Sequence, residues 1–89
     1  MTKERAYEIA KEHNKLEIYT ITWKELSDGR HLHIQTVYEP DYYDDNCPVV
    51  CIATEEENGD ACECHTARQN DIDDIAFWIY EMCWNLEEI

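Results

Sequence analysis

The side chains best suited to chemistry in this chain of 89 residues are five cysteines, four histidines and 21 carboxylates, with a single serine. Cys47-x3-Cys51 and Cys62-x-Cys64-His65 look superficially like zinc ligands. Structural zinc sites space their ligands as C-x2–4-C knuckles, which Cys62-x-Cys64 misses. Cys64 and His65, as neighbours on a strand, would also point to opposite faces. Four thiols, Cys47, Cys51, Cys62 and Cys64, remain an alternative metal set. The plainer expectation is that the cysteines are small buried apolar residues, because free cysteine is among the most buried residue types. Their odd number and the lack of an export signal point to thiols kept reduced. His31-x-His33 places two imidazoles on one face of a strand, but the sequence shows no third ligand, so no metal and no cofactor are expected.

Catalysis finds little support. Ser27 lies in a turn, and Gly29 and Gly59 both belong to hairpin turns rather than to a loop that cradles phosphate. Carboxylates are so frequent that no pair stands out for acid–base work. The expectation is a protein that is not an enzyme.

What does stand out is where the carboxylates are. Through Arg30 six acids balance six bases; from His31 onward fifteen acids face one base, Arg68, and that stretch carries the whole net charge of −14. A small domain stays soluble with roughly 2 to 8 units of net charge, and self-repulsion beyond that opposes the compact state. The acids cluster as Glu39, Asp41, Asp44 and Asp45 around Tyr42 and Tyr43; as Glu55, Glu56, Glu57 and Asp60; and as Asp71, Asp73 and Asp74.

The elements that must position them follow from periodicity and turn chemistry. Residues 3–14 form a helix capped by Thr2, with Ala6, Ile9, Ala10 and His13 on its apolar stripe. Asp28-Gly29 signals a type I′ turn between two alternating strands, pairing Ser27 with Arg30, Trp23 with Ile34 and Ile21 with Thr36. Tyr19 pairs with Tyr38, and Tyr19, Ile21, Trp23 and Tyr38 then share an apolar face with Leu32 and Ile34, whereas His31, His33 and Gln35 lie on a wet face with Thr20, Thr22 and Lys24. Asn58-Gly59 signals a second hairpin, Val49–Glu55 with Ala61–Ala67, whose face of Cys51, Ala53, Cys62 and Cys64 would let a helix approach closely. A second helix begins at Asn70 and Asp73, a capping arrangement, and carries Ile72, Ile75, Ala76, Ile79, Met82, Cys83 and Leu86 as its core stripe. Phe77, Tyr80 and Trp84 fall outside that stripe as an aromatic ridge, which the first helix or a dimer mate could cover. The whole predicts one domain over residues 1–89, of α+β class. Its two layers follow the order α-β-β-β-β-α, with an antiparallel sheet of two hairpins and both helices on one face.

No stretch of 18 apolar residues is present, and residues 1–15 lack the apolar run of a signal peptide, so a cytoplasmic protein is expected. The acidity repels anionic lipid and phosphate backbones, which excludes membrane surfaces and nucleic acid as direct partners.

In its length, its −14 charge, its helix–sheet–helix outline, and runs such as Tyr42-Tyr43-Asp44-Asp45 and Glu55-Glu56-Glu57, the chain resembles the small acidic inhibitors of phages and mobile elements, anti-CRISPR proteins and DNA mimics. The resemblance is one of type, with no shared motif. It implies inhibition by occupying the nucleic-acid-binding surface of a basic partner, a CRISPR effector being the leading target. The three acid clusters, with Tyr42, Tyr43, Phe77, Tyr80 and Trp84, would make the contact. An immunity protein or antitoxin that neutralises a basic nuclease would use the same physics.

Overall fold

The computed structural model describes residues 1–89. The element order is α1 (Lys3–Asn14), β1 (Ile21–Glu25), β2 (His31–Val37), β3 (Val49–Glu55), β4 (Ala61–Arg68) and α2 (Ile72–Cys83), the α+β outline the sequence predicts. The strands form one antiparallel sheet in the order β1-β2-β3-β4.

In α1 the Thr2 hydroxyl accepts from the Arg5 N–H at 3.0 Å, and Ala6, Ile9, Ala10 and His13 are buried, as the spacing requires. Helix α2 is capped by Asp71, one residue beyond the expected Asn70. Its carboxylate accepts from the Asp74 N–H at 3.1 Å, and a side chain one turn before a free N–H is what that geometry demands. Ile75, Ala76, Ile79, Met82 and Cys83 are buried, with Leu86 just past the helix end. They pack on Leu32 and Ile34 of β2, Val50 and Ile52 of β3, and Ala67 of β4, so both helices cover the same face of the sheet.

The two hairpin turns have the same geometry. In each, the residue before a three-residue loop donates to the residue after it (Leu26 to Arg30 at 2.9 Å, Glu56 to Asp60 at 2.8 Å), and the loop glycine donates back to the former. Gly29 and Gly59 have φ of 89° and 92°, the left-handed conformation that closes such loops. The expected two-residue type I′ turns are therefore replaced by loops one residue longer. In the second hairpin an irregularity at Thr54/Glu55 adds an extra residue, Cys62, on β4. The register then returns to the expected one, with Ala53 opposite Cys64. The first hairpin has no such bulge, so its register stays shifted by one: Ile21 opposes Gln35, Trp23 opposes His33 and Glu25 opposes His31.

That shift turns β1 over, because strand side chains alternate with period two. Ile21 and Trp23, expected inside, lie on the outer face with His31 and His33 and are 49% and 53% exposed. The inward positions are Thr22, Lys24 and Leu26. A buried histidine secures this arrangement. His13 of α1 sits between Thr22 and Thr36, with Nδ1 2.7 Å from one hydroxyl and Nε2 3.0 Å from the other, while Leu26 is fully buried. In the expected register Thr22 would face outward and leave Nδ1 of that ring without its partner, and an unpaired buried polar group costs about 1–3 kcal/mol.

The cysteine face is likewise the outer one. Helices approach Val50, Ile52 and Ala67 instead, while Cys62 and Cys64 are exposed, Cys47 and Cys51 are half-buried, and Cys83 alone is buried. The expectation of buried small cysteines thus holds only for Cys83. The tail after α2 runs beside β1, where Ser27 and Ile89 donate to Glu87 and Glu25 carbonyls at 2.8 and 3.0 Å. Arg5 grips Glu88 through two nitrogens at 2.8 and 3.1 Å. That covers part of an edge strand, which otherwise offers unpaired backbone groups. No helix is long and apolar enough to cross a membrane.

Candidate functional site

The meander converts the lopsided charge of the chain into a lopsided surface. Strand β1 and α1 hold the balanced first third, while β3, β4, α2 and the loops that lead into them hold thirteen of the remaining fifteen acids and the one further base; Glu87 and Glu88 follow on the tail. The halves meet where α1 packs against α2; beyond that seam α2 lies against β3 and β4, and the end of α1 is hydrogen-bonded to Thr22 and Thr36.

At one end of the sheet the loop after β2 lies beside the start of α2. Arg68, at the end of β4, ties the loop down: its guanidinium lies 4.2 Å from the centre of the Tyr43 ring and pairs with Asp45. The Tyr42 hydroxyl is 3.1 Å from that of Thr66, and the two tyrosine rings meet edge to face at 5.0 Å. Hydrogen bonding from Arg68 holds the Asp45 carboxyl below its usual range, and burial pushes the Tyr43 hydroxyl up. Burial, with the charge of Asp71 nearby, pushes Asp74 up as well. Asp45 and Tyr43 therefore hold the loop in place. Glu39, Asp41, Asp44, Asp71 and Asp73 stand exposed around them, with Tyr42.

Glu55, Glu56, Glu57 and Asp60 lie at the opposite end, about 20 Å away along strands of seven and eight residues. The structure does not bring this cluster together with the other two. Its members also have local partners: Glu56 accepts from the Cys62 thiol at 3.2 Å, and Asp60 accepts from the Asn58 amide at 3.1 Å. Glu55 turns onto the outer sheet face. There one of its oxygens lies 2.7 Å from Nε2 of His31 and 2.8 Å from Nδ1 of His33. Burial pushes its carboxyl up, but the hydrogen bonds from His33 and His31 outweigh this and hold it below the usual glutamate range.

The aromatic ridge is only partly covered. Tyr80 packs against the core, with the Lys3 ammonium 5.5 Å from its ring centre, whereas Phe77 and Trp84 are exposed. A groove of about 530 Å³ between the helices is lined by Lys3, Tyr7, Asp73, Phe77 and Tyr80 among others. Asp73 makes the ridge continuous with the acidic end at Phe77, while Trp84 lies past the far end of α2. Trp78, unassigned in the sequence, stacks on His65 at 3.7 Å with ring planes 8° apart.

The sequence reading missed a second outer surface. Tyr19, Ile21, Trp23 and Tyr38 are exposed beside His31, His33 and Glu55. The register shift put Ile21 and Trp23 there, and the pairing of β2 with β3 brought in Glu55. A histidine pair at i, i+2 was the visible signal; its acidic partner was hidden behind the loop between β2 and β3. Comparison with protein-family models, with curated proteins and with solved structures finds no match.

Proposed function

We propose that this chain is a non-enzymatic binding protein whose acidic end occupies the basic, nucleic-acid-binding surface of a partner protein, in the manner of DNA-mimic inhibitors. One observation carries the reading. Seven carboxylates, Glu39, Asp41, Asp44, Asp45, Asp71, Asp73 and Asp74, gather at one end of the molecule, and Arg68, the base placed among them, is consumed in holding the loop. The surplus negative charge there is uncompensated and mounted on an ordered loop and a helix start. Such a surface steers encounter with a basic groove and forms charge-assisted hydrogen bonds on contact. Exposed Tyr42 and Phe77 supply apolar area beside the acids, as interface anchors do. A CRISPR effector is the partner type that fits first, and a nuclease toxin presents the same kind of basic cleft.

The test is a competition assay in which labelled duplex or guide-bound target is displaced from such proteins across a salt series. Displacement should weaken steeply as salt rises, through screening. The variant Glu39→Gln/Asp41→Asn/Asp44→Asn spares Asp45 and so leaves the loop anchored. It should weaken displacement by about tenfold or more at low salt, with an unchanged circular dichroism spectrum. Undiminished displacement by that variant would remove the loop from the interface. If every basic effector keeps its nucleic acid at saturating amounts of the parent protein, the mimic reading fails.

A further inference from the structure

Across the two central strands of the sheet, on the face away from the helices, His31, His33 and Glu55 converge. His31 and Glu55 are register partners, and His33 lies two residues along β2 on the same side. Their ligating atoms all fall within 4.8 Å of one another. The side chains are largely shielded, His31 most of all, and Glu55 sits beside the Thr54/Glu55 irregularity at the end of β3. No other group of three or more histidine, cysteine or carboxylate side chains in the molecule is close enough to hold an ion, so the four-cysteine set expected as an alternative is not assembled.

We infer that His31, His33 and Glu55 form a binding site for a divalent transition-metal cation of the zinc type. Two imidazoles and one carboxylate are a donor set that suits zinc and its neighbours in the first transition row and disfavours magnesium and calcium, which take oxygen. A tetrahedral ion with bonds of about 2.1 Å separates its ligand atoms by about 3.4 Å. The two nitrogens now lie 2.7 and 2.8 Å from one carboxylate oxygen, so the carboxylate needs to withdraw by about 0.6–0.7 Å, and the nitrogens, within 4.8 Å of each other, need to settle at the tetrahedral spacing by ring rotation. Its place next to a bulge, where ladder pairing is interrupted, gives it that freedom. Ring nitrogens that donate to Glu55 become ligands when each neutral ring carries its proton on the other nitrogen. The set supplies three ligands and leaves the remaining position to water or a partner's side chain. A depression of about 270 Å³ lined by Trp23, Glu25, Arg30 and Glu57 opens onto His31, the one proposed ligand in its wall.

Trp23 reports on the site, its ring centroid lying 4.9 Å from that of His31. The experiment titrates Zn2+ into the full chain by calorimetry, and Co2+ with visible absorption and tryptophan fluorescence as readouts. Mg2+ and Ca2+ serve as controls. A background with Cys47, Cys51, Cys62 and Cys64 each changed to Ser removes the accessible thiols. In that background we expect one equivalent of Zn2+, quenching of Trp23 by Co2+, and movement of the His31 and His33 imidazole resonances. His33→Ala should weaken binding by about tenfold or more, and Glu55→Gln by a similar factor. Both variants are checked for fold by circular dichroism, and the imidazole resonances of the unmutated site decide the matter if either variant unfolds. Loss of all binding with the four cysteines would show capture by thiols only and overturn the proposal. So would equal affinity in His33→Ala, or imidazole resonances that Zn2+ does not move.

Discussion

At the residue scale, His13 shows how one side chain can decide which face of a strand is core. Its ring is buried, its nitrogens are both satisfied by threonine hydroxyls, and burial pushes its pKa down from 6.5. The unfolded chain therefore takes up a proton more readily than the folded one. Stability is full above the ordinary histidine range and falls as pH drops below about 6.5. One such group gives a slope of at most about 1.4 kcal/mol per pH unit. Urea titrations between pH 7.5 and 5 should show that slope, and His13→Asn should flatten it. His13→Ala, which strands the Thr22 and Thr36 hydroxyls and leaves a cavity, should cost about 2–4 kcal/mol. Equal pH slopes in parent and His13→Asn would assign the effect to other groups. The acid surplus acts the other way at lower pH, where protonating carboxylates relieves repulsion.

At the element scale, the two hairpins close with the same loop and differ by one residue further along. Cys62 is the extra residue that restores the register of β3 with β4, so that Ala67 faces the core and Cys64 the outer side. Deleting Cys62 should force either a slipped register, with Cys64 and Thr66 turned toward the helices, or a refolded turn. We expect a loss of several kcal/mol, about half or more of the stability usual for a domain of this size. Cys62→Ala keeps the backbone and should unfold within about 0.5 kcal/mol of the parent. Gly59→Ala and Gly29→Ala each meet open space around the new Cβ, so their cost isolates the positive φ, at about 1–2 kcal/mol. Thermal or urea unfolding reads all four, and a Cys62 deletion as stable as Cys62→Ala would show that the bulge does not set the register.

At the scale of the whole molecule, charge divides the protein along the sheet. The half built from β3, β4 and α2 repels itself, while the half built from α1 and β1 is nearly neutral. Added salt should therefore raise the melting temperature, by a few degrees for each ~1 kcal/mol of screened repulsion, as it lowers affinity for a basic partner. Opposite salt dependences of folding and binding in one buffer series are the signature of charge kept for association. A melting temperature that falls or stays level between low and moderate salt would mean that self-repulsion is weak in the folded state, and that the acids are paired or well solvated.

Local patterning was enough to specify much of this molecule. Helix α1 with its Thr2 cap and its stripe, the core stripe of α2, the two glycine turns and the α+β order are all written in neighbouring residues, because capping, helical periodicity and left-handed glycines act over a few positions. The acidic loop and the surplus charge were equally plain. What only the tertiary structure decided depends on which strand meets which, and by how many residues. The face of β1 followed from a buried histidine reaching across from α1, against the alternation that marks Trp23 as core. The outward turn of the cysteines followed from the helices choosing Val50 and Ile52. Glu55 joined His31 and His33 because β2 and β3 pair across the loop between them, which local rules leave unregistered. A one-residue slip is cheap to write and reverses an entire strand, so register belongs to the packed molecule.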